Sequence, residues 1–127
     1  MSFDAPRFCA AATLLVVQDV LKAVAHYRDV LGFRVGFTYG DPVFYAGVER
    51  DDVTIHLQAA HKTQRPSGRG AVNVFVTGVD MLHDELRSRV AAIVHPPGDR
   101  PYGMRDFGID DLDGNRLTFG MGVGDSD

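Results

Sequence analysis

His56 is the residue whose surroundings best fit chemistry in a binding cleft. It lies in the run 53–58, where apolar residues alternate with polar ones, so we expect it on the polar face of a strand. There it could bond a ligand, act as a lone acid or base, or have its ring nitrogens satisfied by neighbours. No two of the 5 histidines have the i, i+4 spacing of a helical zinc site.

Other reactive side chains give weaker signals. Cys9 precedes an apolar run with no base close in sequence, which is typical of an inert thiol. The acidic run 110–113 lacks the distal glutamate of a calcium loop and fits a solvated turn. His26 and His83 lie in predicted helices, where we expect them to face solvent. We therefore predict no catalytic residue.

Aromatic side chains are the stronger indication of a binding site. The chain has 8 Phe, 4 Tyr and no Trp, and many of the rings lie in or beside predicted strands. A flat ligand stacked on such rings gains about 0.5–1.5 kcal/mol per pair beyond burial. Strand phenylalanines can equally be core residues, whereas tyrosines beside loops keep a polar tip in water. The predicted ligand-binding residues are Phe37, Tyr39, Phe44, His56, Phe75, Tyr102 and Phe107.

The elements that must position these residues follow from hydrophobic periodicity. We predict strands over 33–39, 43–48 and 53–58 after a first strand, 7–17, and a helix that Asp19 caps and Gly32 ends. In the strand 33–39, Phe33, Val35 and Phe37 are expected to share one face.

The segment 62–70 has no periodicity and fits a linker, after which the same order of elements returns. We predict a strand over 71–77, a helix capped by Asp80, a strand over 91–95 and a loop over 96–103. A closing hairpin follows, with strands over 105–110 and 115–121 and a turn at Asp113 and Gly114.

The chain therefore repeats βαβββ twice, and Val17 and Leu57 correspond to Val76 and Phe119. We predict an α+β fold in which two modules, about 7–61 and 71–121, form a curled mixed sheet around a cleft. The whole chain, 1–127, is expected to be one domain. That cleft is the expected ligand site.

Several segments resemble the glyoxalase/bleomycin resistance/dioxygenase superfamily, also called the vicinal oxygen chelate fold, and its bleomycin-resistance proteins in particular. They are the run 26–33 (HYRDVLGF), the run 48–55 (VERDDVTI), Pro101-Tyr102-Gly103 followed by Phe107, and the closing hairpin. The resemblance implies a homodimer that binds a drug in grooves at its interface. It also implies that Phe37 and Tyr102 stack on a heteroaromatic ligand.

Metal-dependent members of that superfamily place four ligands on four strands. The corresponding positions here are Ala12, His56, Ala71 and Thr118, and shifts of two residues give no histidine and glutamate set. Alanine has no donor atom and a neutral hydroxyl replaces a carboxylate poorly. We therefore predict no metal ligand and no cofactor.

Charge and composition limit the partners. The net charge of −4 argues against nucleic acid and permits a cationic small ligand, for which Asp41, Glu49 or Asp106 could supply counter-charge. One cysteine, no apolar run of about 20 residues and no signal pattern in the first seven residues favour a cytoplasmic protein without a membrane partner.

The predicted function is capture of a bulky, flat, possibly cationic antibiotic by a metal-free homodimer of bleomycin-resistance type. The alternative is a metal-dependent lyase, isomerase or dioxygenase with unusual ligands around His56. A third possibility is a module that binds an unidentified metabolite.

Overall fold

The predicted βαβββ order occurs twice in the computed structural model, which describes residues 5–124. The ends of the predicted domain, and most of the segment tested for a signal pattern, lie outside those residues. The first half contains β1 Thr13–Val17, α1 Val20–Asp29, β2 Arg34–Gly40, β3 Val43–Arg50 and β4 Val53–Ala59. The second half contains β5 Ala71–Phe75, α2 Val79–Ser88, β6 Ala92–Asp99, β7 Met104–Asp110 and β8 Arg116–Gly122.

The strands form two four-stranded mixed sheets of identical plan, and neither sheet is closed. Their orders are β1-β4-β3-β2 and β5-β8-β7-β6. The parallel pairs β1–β4 and β5–β8 have matching registers, with Leu15 beside Leu57 and Val74 beside Phe119. The α+β class and the internal duplication are confirmed.

Each sheet buries one face and leaves the other open. In β4 the alternate residues Ile55 and Leu57 are buried, and in β8 Leu117 and Phe119 are buried. The helices pack on these buried faces, and side chains from both halves belong to one hydrophobic cluster. We call the opposite surfaces the first open face (β1–β4) and the second open face (β5–β8).

The two helices begin differently. The carboxylate of Asp19 accepts the amide hydrogen of Lys22 at 3.1 Å, so the predicted cap of α1 is confirmed. The predicted cap of α2 by Asp80 is wrong, because the helix begins at Val79 and Gly78 occupies the cap position with a φ of +65°. Asp80 lies in the first turn and accepts hydrogen bonds from Arg105 instead.

The first strand is shorter than predicted, starting at Thr13 instead of residue 7. Thr13 lies beside Ile55, only two residues after the start of β4 at Val53. A strand extended backward from Thr13 would soon have no neighbour to bond. Residues 5–12 are accordingly exposed.

Strand β6 is longer than predicted, because it continues through Pro96 and Pro97, which the sequence places in a loop. It lies at the edge of its sheet and pairs only with β7, with irregular register on both sides of His95. Edge strands and bulges tolerate proline, whose missing amide hydrogen would interrupt a central ladder.

Polar contacts join the two halves. The Tyr27 hydroxyl donates to Asp111 at 2.8 Å, the Asn115 amide donates to the Val16 carbonyl at 3.1 Å, and Arg50 forms a two-bonded ion pair with Glu85. Within residues 5–124 no helix has both the length and the apolar character needed to span a bilayer.

Candidate functional site

A β-bulge decides which side chains of β2 reach the first open face. Val35 pairs with Val48 and Phe37 pairs with Gly47, so Gly36 is an extra residue with no partner of its own. The bulge interrupts the alternation, and Phe37 therefore shares the open face with Arg34 instead of sharing a face with Val35. Our expectation that these residues alternate regularly is wrong for this reason.

The first open face carries a compact aromatic group. The Phe37 ring lies 6.2 Å from the Tyr45 ring in a stacked arrangement and 5.4 Å from the His56 ring, edge to face. The Tyr45 hydroxyl is 2.8 Å from Nδ1 of His56 and donates to it when that nitrogen is unprotonated. Gly47 lies beneath Phe37, where any side chain would collide with the ring.

The second open face repeats this geometry with other residues. The His95 ring lies over Gly108 as Phe37 lies over Gly47, and Thr118 pairs with Gly108 as His56 pairs with Gly47. At these matched positions the first sheet has Phe37 and His56, and the second sheet has His95 and Thr118.

A buried carboxylate, Asp106, organises the second open face. Arg100 Nε donates to Oδ1 at 2.8 Å and the Tyr102 hydroxyl donates to Oδ2 at 2.6 Å. Nε2 of His95 lies 3.4 Å from Oδ1. Burial opposes ionisation of Asp106, but the hydrogen bonds from Tyr102 and Arg100 outweigh it and hold the pKa below its ordinary value.

Two cavities open near these residues. One of about 510 Å³ lies on the second open face and is lined by Asn73, Phe75, His95, Arg100, Tyr102 and Thr118, among others. The other, of about 860 Å³, lies between the β3–β4 turn and α2, and includes Phe33, Met81 and the Arg50–Glu85 pair. Phe75 contributes to both.

The structure divides the predicted ligand-binding residues between locations. Phe37 and His56 lie on the first open face and Phe75 and Tyr102 on the second, and neither cavity contains members of both pairs. Tyr39 is exposed at the edge strand β2, with its ring 5.5 Å from Phe44.

Two of the predicted ligand-binding residues, Phe107 and Phe44, pack in or against the core instead of lying on an open face. Phe107 is 0% exposed, because alternation along β7 turns its neighbours Asp106 and Gly108 to the open face and Phe107 to the core. Contrary to the prediction that it binds a ligand, Phe107 is a core residue and lines neither of the two cavities. Phe44 is partly buried against the core, and Lys62 Nζ lies 4.5 Å from its ring centre.

The helical histidines also differ from expectation. The ring of His83 packs edge to face on Phe107 at 5.2 Å. His26 is half-buried, and its Nδ1 has no hydrogen-bond partner within residues 5–124. Burial lowers the pKa of His26, although Asp111 and Asp113 oppose that effect.

Sequence reasoning missed His95 and Arg100. The duplicated plan contained a signal for His95, because it occupies the place that Phe37 has in the first half. Bulges in both edge strands shift the spacing and conceal this correspondence.

The positions that hold metal in some proteins of this fold do not fit a metal here. Ala12 precedes β1, so the neighbour of His56 on the open face is Leu14, and the matching pair in the second half is Asn73 and Thr118. One imidazole, an amide and a hydroxyl beside an aliphatic side chain are a poor donor set for a divalent ion. Residues 5–124 contain no group of three or more His, Cys, Asp or Glu placed to hold a metal.

The carboxylates of the open faces are paired with arginines. Glu49 pairs with Arg34 at 2.9 Å, Asp106 with Arg100 at 2.8 Å and Asp110 with Arg116 at 2.6 Å. The net charge of −4 is therefore not concentrated on these faces as free carboxylates.

A family model described as the glyoxalase/bleomycin resistance protein/dioxygenase superfamily matches residues 10–119. No curated protein matches the chain. Among solved structures, the bleomycin-binding protein of bleomycin-producing Streptomyces verticillus, in complex with copper(II)-bleomycin, has 28% sequence identity and a TM-score of 0.76. The match covers 90% of this chain and 96% of that chain.

Two further structures share the fold at lower identity. TioX from Micromonospora sp. ML1 is 22% identical, with a TM-score of 0.76 over 90% of this chain and 100% of that chain. Lactoylglutathione lyase from Agrobacterium tumefaciens is 21% identical, with a TM-score of 0.75 over 92% of this chain and 96% of that chain.

Proposed function

This chain belongs to the glyoxalase/bleomycin resistance protein/dioxygenase superfamily, and we propose that it binds a bulky, flat small molecule without a metal. The bound molecule is held and released unchanged. An antibiotic of bleomycin type is the leading candidate, because a bleomycin-binding protein shares 28% identity with the chain. Capture protects the cell by withholding the molecule from its target.

The observation that carries this proposal is the exposure of aromatic rings on or beside the open faces. Phe37 is 44% exposed, Tyr39 65%, Phe75 76% and Tyr102 69%. Soluble monomers seldom expose many large apolar side chains close together, and such patches mark interfaces and ligand grooves. Flat heteroaromatic ligands stack well on rings of this kind.

A homodimer completes the proposed groove. In a single chain neither of the two cavities described above contains rings of both open faces. A two-fold pair can set the first open face of one chain against the second open face of its partner, which produces two equivalent grooves. Each groove then has Phe37 and His56 on one wall and Phe75 and Tyr102 on the other.

We place this binding in the cytoplasm. The chain has one cysteine, Cys9, and therefore no intrachain disulfide, which suits a reducing compartment.

The experiment must also distinguish metal-free binding from the alternative function, a metal-dependent enzyme. Such an enzyme needs three or four convergent ligands, whereas the corresponding residues are Leu14, His56, Asn73 and Thr118. The likeness to lactoylglutathione lyase concerns the fold.

Intrinsic tyrosine fluorescence provides the test. Tyr39, Tyr45 and Tyr102 lie on or beside the open faces, Tyr27 is buried, and the chain has no tryptophan. Adding bleomycin, with and without copper(II), should quench the emission and saturate at one drug per chain. Phe37→Leu, which keeps an apolar side chain but removes the ring, should weaken binding about fivefold.

The matched control is Leu112→Ala, which shortens an exposed apolar side chain in the β7–β8 turn and should change affinity less than twofold. Expressing cells should survive bleomycin better than cells carrying an empty vector. Absence of both quenching and protection would reject drug capture. One tightly held metal per chain, lost in His56→Ala together with turnover of a substrate, would favour the enzyme.

A further inference from the structure

The cavity on the second open face contains a hydrogen-bonding group that the proposed function does not use. We propose that this cavity is a subsite for a flat ring bearing a carbonyl or carboxylate oxygen, with Arg100 as the principal donor and His95 beside it. The inference rests on the proposed function and specifies the chemistry of the ligand: an oxygen acceptor, not a cation.

Arg100 is held rigidly with donors to spare. Its Nε donates to Asp106 Oδ1 at 2.8 Å, and its Nη2 donates to the carbonyls of Pro96 and Asp106 at 2.9 and 3.0 Å. A guanidinium has five donor hydrogens, and the two on Nη1 have no partner among residues 5–124. A preorganised donor pair loses little conformational entropy when it binds an oxygen.

Asp106 does not offer its charge to a ligand. Arg100 binds one of its oxygens, the Tyr102 hydroxyl binds the other, and the residue is 5% exposed. A ligand ammonium buried in this cavity would find no free carboxylate and would lose its hydration without compensation. The charge pattern therefore disfavours a cation at this position.

The remaining polar groups of the cavity are compatible with an oxygen acceptor. His95 Nε2 faces Asp106 at 3.4 Å, while Asn73 and Thr118 bring an amide and a hydroxyl that bond no other described side chain. An amide or hydroxyl can donate to a ligand oxygen, and so can a protonated ring nitrogen. Together with Arg100 they give the cavity several groups that can donate to a ligand oxygen.

Two rings supply the apolar part of the subsite. Phe75 and Tyr102 both line the cavity and are both largely exposed. The bond from the Tyr102 hydroxyl to Asp106, at 2.6 Å, fixes that ring at the cavity wall. A planar group lying against these rings can direct its oxygen toward Arg100.

Three probes share a naphthalene ring and differ only in the polar group attached to it: 2-naphthamide, 2-naphthoate and 2-naphthylmethylamine, which is an ammonium ion at neutral pH. Their relative affinities show which polar group the cavity prefers. Titrations followed by NMR and tyrosine fluorescence give their dissociation constants. We expect the amide and the carboxylate to bind at least about tenfold more tightly than the ammonium. Equal affinities, a preference for the ammonium, or no binding by any probe would overturn the subsite.

A pair of matched variants assigns the preference to Arg100. Arg100→Lys keeps a positive charge beside Asp106 but removes the forked donor, and it should weaken binding of the amide and the carboxylate about tenfold. Arg116→Lys makes the same change on the same sheet, in an arginine that pairs with Asp110 outside the cavity lining, and should change affinity less than twofold.

His95→Phe is the second variant, since the first half shows that phenylalanine fits over the corresponding glycine. It should weaken binding of both acceptor probes while preserving the urea midpoint of unfolding. Unchanged probe affinity in both Arg100→Lys and His95→Phe would refute the subsite. Bleomycin quenching that persists in that case would leave drug capture standing, so the two proposals fail separately.

Discussion

Asp106 shows how a single buried carboxylate can determine the shape of a binding face. Its two oxygens hold Arg100 and Tyr102 in place, and both of these line the cavity of the second open face. The same contacts lower the pKa of Asp106 in spite of its burial. Folding therefore stabilises the ionised form of this carboxyl.

Acid should destabilise the protein partly through this residue. Because the folded pKa lies below the unfolded pKa of about 3.9, the stabilisation is present above that value and is lost as pH falls through the folded pKa. Asp106→Asn should lower the free energy of unfolding by about 2 kcal/mol at pH 7. The gap between variant and wild type should narrow as the pH falls below about 4.

Urea unfolding at several pH values measures this effect. Tyr102→Phe is the intermediate variant, since it removes one hydrogen bond to the carboxylate and keeps the ion pair with Arg100. Because that hydrogen bond is one of the contacts that lower the pKa of Asp106, the acid dependence of this variant should lie between those of the wild type and Asp106→Asn. A gap that stays constant between neutral and acid pH would contradict the role assigned to Asp106.

The sequence predicted single residues well where strands alternate regularly and poorly where they do not. His56 was correctly expected on the polar face of β4, because β3 and β4 pair without interruption. The positions of His95 and Arg100 depend on the bulges of β6 and on the hairpin after it. The hydrophobic periodicity of the sequence does not reveal either feature. Phe107 lies in the core because it alternates along β7 with Asp106 and Gly108, which face the open side of the sheet.

At the scale of elements, the two helices differ in how their first turns are satisfied. Asp19 accepts a backbone amide hydrogen of α1, whereas the start of α2 has Gly78 and no side-chain cap. Sequence alone suggested an aspartate cap for both helices. The position of Asp80, one residue inside the helix, lets it bind Arg105 of β7 instead.

Replacing Asp19 or Asp80 with alanine should therefore lower the free energy of unfolding by different amounts. Asp19→Ala should lower the free energy of unfolding by about 1 kcal/mol, because an orphan amide of the first turn loses its acceptor. Asp80→Ala removes a half-exposed ion pair with Arg105, which keeps Asp99 as a partner, and should cost less. Paired urea titrations compare the two variants, and a larger cost at Asp80 would contradict the capping assignment.

Element order was predictable, whereas element ends were not. Hydrophobic periodicity and turn residues gave all ten main elements in the right sequence. The start of β1 depends on where β4 begins, and the length of β6 depends on its position at a sheet edge. Both are properties of strand pairing between distant segments, which local patterns do not contain.

At the scale of the whole molecule, buried polar contacts connect the halves. Tyr27 of α1 donates to Asp111 in the β7–β8 turn, and Asn115 in the same turn bonds the carbonyl of Val16. Burial, reinforced by the negative charge of Asp111, raises the pKa of Tyr27 well above its ordinary value. The folded state thus favours the neutral phenol.

Alkaline conditions should test this junction. Since the folded pKa of Tyr27 exceeds the unfolded value of about 10, its contribution is complete below that pH and is lost as pH rises through the folded pKa. Tyr27→Phe should cost about 1 kcal/mol at pH 7 and should lose less stability than wild type above about pH 10.

Urea midpoints and tyrosinate absorbance, recorded from neutral to alkaline pH, check this expectation. In the wild type, one of the 4 tyrosines should ionise only as the protein unfolds. That last phase should be missing in Tyr27→Phe. If the free energy of unfolding falls equally with rising pH in the wild type and in Tyr27→Phe, ionisation of Tyr27 does not contribute to the loss of stability.

The glycines beneath Phe37 and His95 have a consequence for how this molecule can evolve. A side chain added at Gly47 or Gly108 would collide with the ring above it, so neither glycine can be replaced while that ring stays in place. The two sheets, however, do not share these pairs. Mutations can therefore retune what one half recognises while the other half keeps its inherited chemistry, which gives gene duplication a direct route to new specificity.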